Sequence, residues 1–148
     1  MENLTEKRLK ELFGIEFKRY PKKIQNGLED VELNHNRSWI VDLYEKNKNN
    51  LDTVALFYRG TKITYRELFK QVEVFTSALS QKGVKKGSEV PMCMSPCPEF
   101  IYTIMAVNLL GAKINCFGAF DKDYVTEIIN GCDMNFIICT DDQYENIR

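Results

Sequence analysis

The sequence has little of the residues that most often build catalytic or metal sites. Its 148 residues include one histidine, His35, and one tryptophan, Trp39. A histidine proton relay would depend on His35 alone, and we interpret that residue as a surface or packing side chain. The pair Cys93-x3-Cys97 is not a zinc-ribbon spacing, and the histidine is far away in sequence. We therefore assign no metal-binding residue.

An excess of one charge and a long apolar run are also missing. Twenty Lys and Arg residues stand against 21 Asp and Glu residues, and the net charge of -1 favours neither nucleic acid nor an anionic membrane surface. The N-terminal stretch is charged from Glu2 onward and lacks the apolar core of a signal peptide. The longest apolar stretch, 100–110, is shorter than the run of about 18 residues that a membrane span needs. We expect a cytoplasmic protein with no membrane span and no nucleic-acid partner.

The cysteines are odd in number, and no secretory signal accompanies them. Disulfides are rare in the cytosol, where thiols are kept reduced. Each cysteine is at or near the end of a predicted strand or helix, and we expect free, buried thiols. The five positions are Cys93, Cys97, Cys116, Cys132 and Cys139.

No phosphate-binding loop is present in the sequence. The eight glycines form neither G-x-G-x-x-G nor G-x-x-x-x-G-K-[ST]. This absence disfavours a nucleotide-binding switch protein.

Along the chain, segments with the apolar periodicity of a helix alternate with segments typical of a strand. A βαβ unit over 88–116 is the centre of the chain, although Pro91 is awkward within its first strand because proline cannot donate to a sheet ladder. Arg59-Gly60 is placed at a hairpin turn, and Thr64-x-x-Glu67 is a capping box that opens a helix. The predicted elements are helices over 2–13, 39–48, 65–81, 98–110 and 121–131, an irregular arm over 14–37, a hairpin over 54–64, strands over 88–94, 113–116 and 135–139, and a helix opening at Thr140.

This order predicts an α/β fold with an open, mainly parallel sheet, flanking helices and an attached β-hairpin. Residues 1–49 form a helical and irregular lead-in, and residues 50–148 form an α/β subdomain. Ligands of such sheets bind beyond the carboxyl ends of the strands, which here are 95–98, 116–121 and 140–142.

The polar residues at these strand ends are Ser95, Asn115 and Asp121. Turn or cap roles explain each of them, because Ser, Asn and Asp readily hydrogen-bond to nearby backbone. Asp121 and Asp123 also suit a helix start, where the helix dipole favours negative charge. We therefore assign no catalytic and no cofactor-binding residue.

Read together, the motifs resemble the N-terminal portion of the adenylate-forming superfamily, the AMP-binding enzymes that include acyl-CoA synthetases. The resemblance covers about 50–142. It is carried by Val54 to Gly60, Ile63 to Leu68, Ala78-Leu79, Gly83 to Gly87, Val90, Ser95 to Phe100 and Ala106 to Ala112.

The resemblance implies a truncated part of the N-terminal domain of such an enzyme. For the full-length parent, the resemblance implies ATP, Mg and CoA as cofactors: a carboxylic acid would become an acyl-adenylate and then a thioester, as in fatty acid metabolism. A carrier protein in place of CoA stays open as the thiol acceptor. The family's phosphate loop, substrate pocket and C-terminal lysine come later than these motifs, so the resemblance carries no catalytic residue over and implies a chain that is inactive alone.

Two functions remain open from the sequence. The first is an N-terminal fragment of an AMP-forming ligase, whose partner is the C-terminal remainder of the parent and which would form a homo-oligomer through uncovered apolar surface. The alternative is a free-standing α/β interaction or small-molecule-binding module.

Overall fold

The computed structural model describes residues 38–118 and 122–147. The predicted helix over 2–13, the irregular arm over 14–37 and the position of Asp121 lie outside these residues, as does His35. Among the helices that the structure describes, none combines the length and the apolar character needed to cross a bilayer.

Helices and strands alternate along the described chain as predicted. The elements are α1 (Trp39–Asn47), β1 (Val54–Tyr58), β2 (Thr61–Thr64), α2 (Tyr65–Gln81), β3 (Glu89–Cys93), α3 (Pro98–Leu109), β4 (Lys113–Cys116), α4 (Lys122–Gly131), β5 (Ile138–Cys139) and α5 (Asp141–Ile147).

The strands form two sheets. β1 and β2 pair antiparallel as the predicted hairpin, while β3 lies between β4 and β5 in a parallel sheet of order β4-β3-β5. The chain moves from β3 to one neighbour and then crosses to the other side of β3. The prediction of an α/β fold with a mainly parallel sheet and an attached hairpin is confirmed.

The hairpin turn follows from its two central residues. Arg59 has φ 45° and Gly60 has φ 85°, and two positive φ values are what a type I′ turn requires. The Arg59 guanidinium lies 5.3 Å from the centre of the Tyr58 ring, a cation–π contact that offsets part of the cost of the left-handed arginine.

Helix α2 begins at the predicted capping box. The Glu67 backbone N–H donates to Thr64 Oγ1 at 3.3 Å, and the Thr64 backbone N–H donates to Glu67 Oε2 at 2.8 Å. These bonds satisfy donors that the first turn would otherwise leave unpaired. The Thr64 hydroxyl also donates to Glu67 Oε2 at 2.9 Å, and the two bonds that Thr64 donates to this carboxyl lower its pKa, with the backbone bond the larger cause.

Helix α3 is covered on several sides, as its lack of a polar face predicts. Tyr102 and Met105 pack in one buried cluster with Ile40 of α1 and Leu68 of α2. Ala106 and Val107 pack in a second cluster with Val90 of β3. This second cluster is on one face of the parallel sheet.

A third cluster is on the opposite face of the sheet. Cys93 of β3 packs there with Phe117 and with Val125 of α4. Val90 and Cys93 are three residues apart in one strand, so their side chains point to opposite faces. Helices α3 and α4 therefore cover different faces of the sheet, as in a doubly wound α/β domain.

Pro91 lies inside the central strand, and its backbone nitrogen and carbonyl face away from β4. The bonds to β4 come from even-numbered residues: Ser88 O accepts from Lys113 N, and Met92 O accepts from Phe117 N. In a parallel ladder, alternate residues bond to opposite neighbours. The missing N–H of Pro91 is therefore on the β5 side, where it interrupts no bond to β4.

Strand β5 is shorter than predicted. The sequence predicts a strand over 135–139, but the ladder with β3 pairs only Met92 with Ile138 and Cys93 with Cys139. Before Met92, the β5-facing donors of β3 are not available, because Pro91 has no N–H and the Glu89 N–H donates to Asp133 Oδ1 at 2.7 Å.

Candidate functional site

The carboxyl ends of β3 and β5 form the switch point of the parallel sheet. The crossover after β3 leads to β4 on one side, and the crossover after β4 leads to β5 on the other. In open α/β sheets, a crevice opens where the strand order reverses in this way. The loop after β3 and the start of α5 therefore meet at the place where a ligand of this fold class would bind.

Ser95 joins these two segments by three hydrogen bonds. Its backbone N–H donates to Thr140 Oγ1 at 3.0 Å, its hydroxyl donates to Asp142 Oδ2, and its Oγ accepts from Gln143 Nε2 at 3.2 Å. Gln143 Nε2 also lies 3.2 Å from Asp142 Oδ2. We call these four residues the switch-point network.

The network holds a negative charge at the sheet edge. Hydrogen bonds from the side chains of Ser95, Thr140 and Gln143 lower the pKa of the Asp142 carboxyl to about 2, with the bond from Ser95 the largest cause. Hydrogen bonds to a carboxylate favour its charged form. Asp142 is exposed and remains ionised at neutral pH.

The network extends inward through Gln143. Cys93, which is buried, donates from Sγ to Gln143 Oε1 at 3.8 Å. The Gln143 amide thus links a buried thiol of β3 to the exposed Asp142 carboxylate.

The turn before α3 contributes a second thiol. Cys97 caps α3 through its backbone conformation and makes no side-chain cap bond, and Pro98 occupies the first turn, a position that proline suits. Burial raises the pKa of the Cys97 thiol, and the neighbouring Glu99 raises it further. Cys97 is therefore a neutral thiol and not an activated nucleophile.

Of the three predicted strand-end residues, the structure describes two, and these lie in different parts of the sheet. Ser95 is the centre of the network, whereas Asn115 is on β4, opposite Pro91, and donates from Nδ2 to Cys132 Sγ at 3.7 Å. Asp121 lies outside the described residues. The structure brings Ser95 together with Thr140 and Asp142, and it does not bring Asn115 into the same group.

Sequence reasoning did not assign Asp142 and Gln143 to this site. It predicted only a helix opening at Thr140, and α5 does begin at Asp141. In the structure, Thr140 Oγ1 and the Gln143 amide bond to Ser95. One signal in the sequence did indicate this contact, because both segments follow the carboxyl ends of predicted parallel strands.

Two apolar grooves are separate from this network. The larger, of about 600 Å³, lies between α1, α2 and the end of α3. The smaller, of about 280 Å³, lies between β1 and the Pro96–Pro98 turn. Among the described residues, Glu73 is the one charged residue that lines either groove, so the described lining offers no cationic group to bind a phosphate.

The comparison with protein families gives one match over most of the chain. The model of the AMP-binding enzyme family matches residues 43–148. Among curated relatives, an acetyl-coenzyme A synthetase from Mesorhizobium japonicum is 30% identical over 128 residues, which are 82% of this chain and 19% of that protein. An acetyl-coenzyme A synthetase from Bartonella quintana is 32% identical over 124 residues, which are 79% of this chain and 18% of that protein.

Solved structures give the same relationship at the level of the fold. The N-terminal subdomain of Klebsiella oxytoca NpsA, in complex with 3-hydroxybenzoyl-AMSN, has a TM-score of 0.59 at 25% identity over 68% of this chain and 26% of that one. A putative long-chain-fatty-acid CoA ligase from Rhodopseudomonas palustris has a TM-score of 0.65 at 24% identity over 73% of this chain and 28% of that one. Compared with the two acetyl-coenzyme A synthetases described above, this chain spans less than a fifth of their length.

Proposed function

Because this chain belongs to the AMP-binding enzyme family, we propose that it forms the N-terminal α/β part of an AMP-forming acyl-CoA ligase. The main support for this proposal is the family match over 43–148, which includes every described element from β1 onward. In this proposal, residues 1–49 are a lead-in and residues 50–148 are the start of a cytoplasmic enzyme's N-terminal domain.

The proposed reaction has two steps. A carboxylate attacks the α-phosphorus of ATP, which gives an acyl-adenylate and pyrophosphate. The thiol of CoA then attacks the acyl carbon and releases AMP. The names of the curated relatives, acetyl-coenzyme A synthetases, support CoA as the acceptor and make acetate the first acid to test.

The described residues do not fit ATP or Mg²⁺. A phosphate site needs cationic groups and outward-facing backbone N–H donors. At the switch point, the Ser95 N–H already donates to Thr140, and the nearby Asp142 carboxylate would repel a phosphate. Asp142 also accepts bonds from its own neighbours, which leaves it a poor ligand for a cation. We therefore derive no catalytic step from these residues, and their proposed role is to support a site formed by other residues.

The reading frame beyond Arg148 provides the direct test. We expect it to continue into a Ser/Thr/Gly-rich loop ending in Lys, and we expect the encoded protein to form AMP and pyrophosphate from ATP in the presence of acetate and CoA. A variant of that loop lysine is the matched control and should abolish adenylate formation.

Two outcomes would contradict the proposal. One is a stop codon directly after Arg148, which would favour the free-standing α/β module. The other is an extended protein that carries the loop but forms no AMP with acetate or with longer and aromatic acids.

A further inference from the structure

Two cysteines lie side by side on neighbouring strands. Cys93 of β3 and Cys139 of β5 are direct partners in the parallel register. Both are thiols, and both belong to the cluster on the α4 face of the sheet, with Cys93 buried and Cys139 partly exposed. Direct partners in a parallel ladder point their side chains to the same face.

The spacing of the two strands suits a disulfide. Neighbouring strands lie about 4.8 Å apart, and the Cα atoms of a disulfide are usually about 4.4–6.8 Å apart. β5 has only two residues and, among the described strands, lies at the edge of the parallel sheet. Linking the two thiols would therefore act on the two-residue pairing of β5 and leave the ladder between β3 and β4 in place.

We propose that Cys93 and Cys139 form a paired-thiol modification site, which a low-molecular-weight disulfide converts into an internal disulfide between β3 and β5. This site is independent of the proposed enzymatic function, since it requires only the described fold.

The reaction consists of two thiol–disulfide exchanges. The partly exposed Cys139, as its thiolate, attacks one sulfur of the small disulfide, and the first small thiol leaves with the proton that Cys139 lost. Cys93 then attacks the Cys139 sulfur of the mixed disulfide, and the second small thiol leaves with the Cys93 proton. Two protein thiols are oxidised to one disulfide, and the reagent is reduced to two thiols.

The environment of Cys139 makes the first exchange slow. Burial raises the pKa of the Cys139 thiol, and the nearby Asp141 carboxylate raises it further. Because the thiolate is the attacking species, a raised pKa lowers the reactive fraction at neutral pH. Cys116, which is exposed on β4, should react sooner with the same reagent, and its partner in the described ladder is Met92, which carries no thiol.

Oxidation at this site would alter the switch-point network. The Cys93 thiol donates to Gln143 Oε1, and the Gln143 amide donates to Ser95 Oγ and Asp142 Oδ2. A disulfide removes the S–H donor of Cys93. Gln143 then loses the bond that orients its amide, and its bonds to Ser95 and Asp142 weaken.

The test uses glutathione disulfide on the native chain, followed by alkylation and a non-reducing peptide map. Before alkylation, we expect an intact mass lower by two hydrogen atoms, apart from any adduct on Cys116. The peptide map should then contain a linked pair with Cys93 and Cys139. Dithiothreitol should reverse both changes. The Gln143 side-chain amide signals in an NMR spectrum should shift on oxidation and return on reduction.

Single variants distinguish Cys139, which reacts first with the reagent, from Cys93, which then closes the internal disulfide. Cys93→Ser should stop at a mixed disulfide on Cys139, and Cys139→Ser should lose modification of both positions. Cys116→Ser is the matched control and should still form the internal disulfide. Cys93→Ala and Cys139→Ala repeat the experiment if a buried serine hydroxyl prevents folding, with thermal unfolding as the check.

Three results would overturn the proposal. These are adducts confined to Cys116, a stable mixed disulfide on Cys139 in the unsubstituted protein, and a linked pair that contains Cys97 in place of Cys93. A cross-link that leaves the Gln143 amide signals unchanged would overturn the coupling to the network.

Discussion

The Ser95 hydroxyl donates a hydrogen bond to the Asp142 carboxylate across 47 positions of sequence. The bond joins the loop after β3 to the first turn of α5, and it crosses the switch point of the parallel sheet. Its position explains why a local interpretation of either segment as a simple turn or cap is incomplete.

We expect Ser95→Ala to raise the pKa of Asp142 from about 2 towards its ordinary value of 3.8. Folding lowers this pKa, so the ionised carboxylate stabilises the folded state above pH about 4, and this contribution is lost as the pH falls towards about 2. The variant should therefore lose less stability over that acidic range than the unsubstituted chain.

An NMR titration of the Asp142 carboxyl carbon and urea unfolding at several pH values measure these two effects. Ser80→Ala, which removes an exposed serine hydroxyl from α2, is the control and should leave the Asp142 titration unchanged. An unchanged Asp142 pKa in Ser95→Ala would contradict the role given to the hydrogen bond.

Two valines of α2 provide a test of the core. Val72 is 2% exposed and Val74 is 53% exposed. Val72→Ala should lower the free energy of unfolding by about 2 kcal/mol, because it removes buried apolar surface and leaves a cavity. Val74→Ala should change it by less than about 0.5 kcal/mol. Chemical denaturation measures both values, and equal losses would show that α2 does not pack as described.

Two glycines allow the cost of a positive φ to be measured separately from the cost of a steric clash. A Cβ atom at Gly60 or at Gly131 would meet no neighbour within 4 Å, but Gly60 has φ +85°. Gly60→Ala should therefore lower the free energy of unfolding by about 1 kcal/mol, since a left-handed alanine is strained. Gly131→Ala, in the last position of α4, should leave stability unchanged or slightly higher. A neutral Gly60→Ala variant would argue against the type I′ turn.

We expect ATP with Mg²⁺ to leave the unfolding temperature of the 148-residue chain unchanged. The sequence has no phosphate loop, and the described groups at the switch point bond to one another. A ligand that binds only the folded state raises the unfolding temperature with concentration. A rise that depends on ATP concentration would reveal a site that the proposed scaffold role does not include.

We also expect the isolated chain to self-associate. Within the described residues, β4 and β5 are paired only on the side facing β3, and unpaired strand edges promote association between chains. Light scattering over a range of concentrations, with a reductant to prevent disulfides through the exposed Cys116, measures the effect. A monomer at the highest concentration would contradict this expectation.

The elements that the sequence predicted well depend on neighbouring residues. The Arg59-Gly60 turn, the Thr64 capping box and the extent of α2 follow from contacts within a few positions, and the structure contains all three. The same holds for the apolar character of α3, which predicts coverage on several sides. The length of β5 could not be predicted in this way, because it depends on the donors that Pro91 and Glu89 fail to offer from another strand.

The sequence by itself determined the alternation of helices and strands, the α/β class and the family, because periodicity, caps and turn residues act locally and the family motifs lie in order along the chain. Tertiary structure decided which strands are neighbours. That choice places Ser95 against Asp142 and Cys93 against Cys139, pairs that are 47 and 46 positions apart. Strand order is set by the paths of the crossovers and by packing on both faces of the sheet, and no local pattern specifies it.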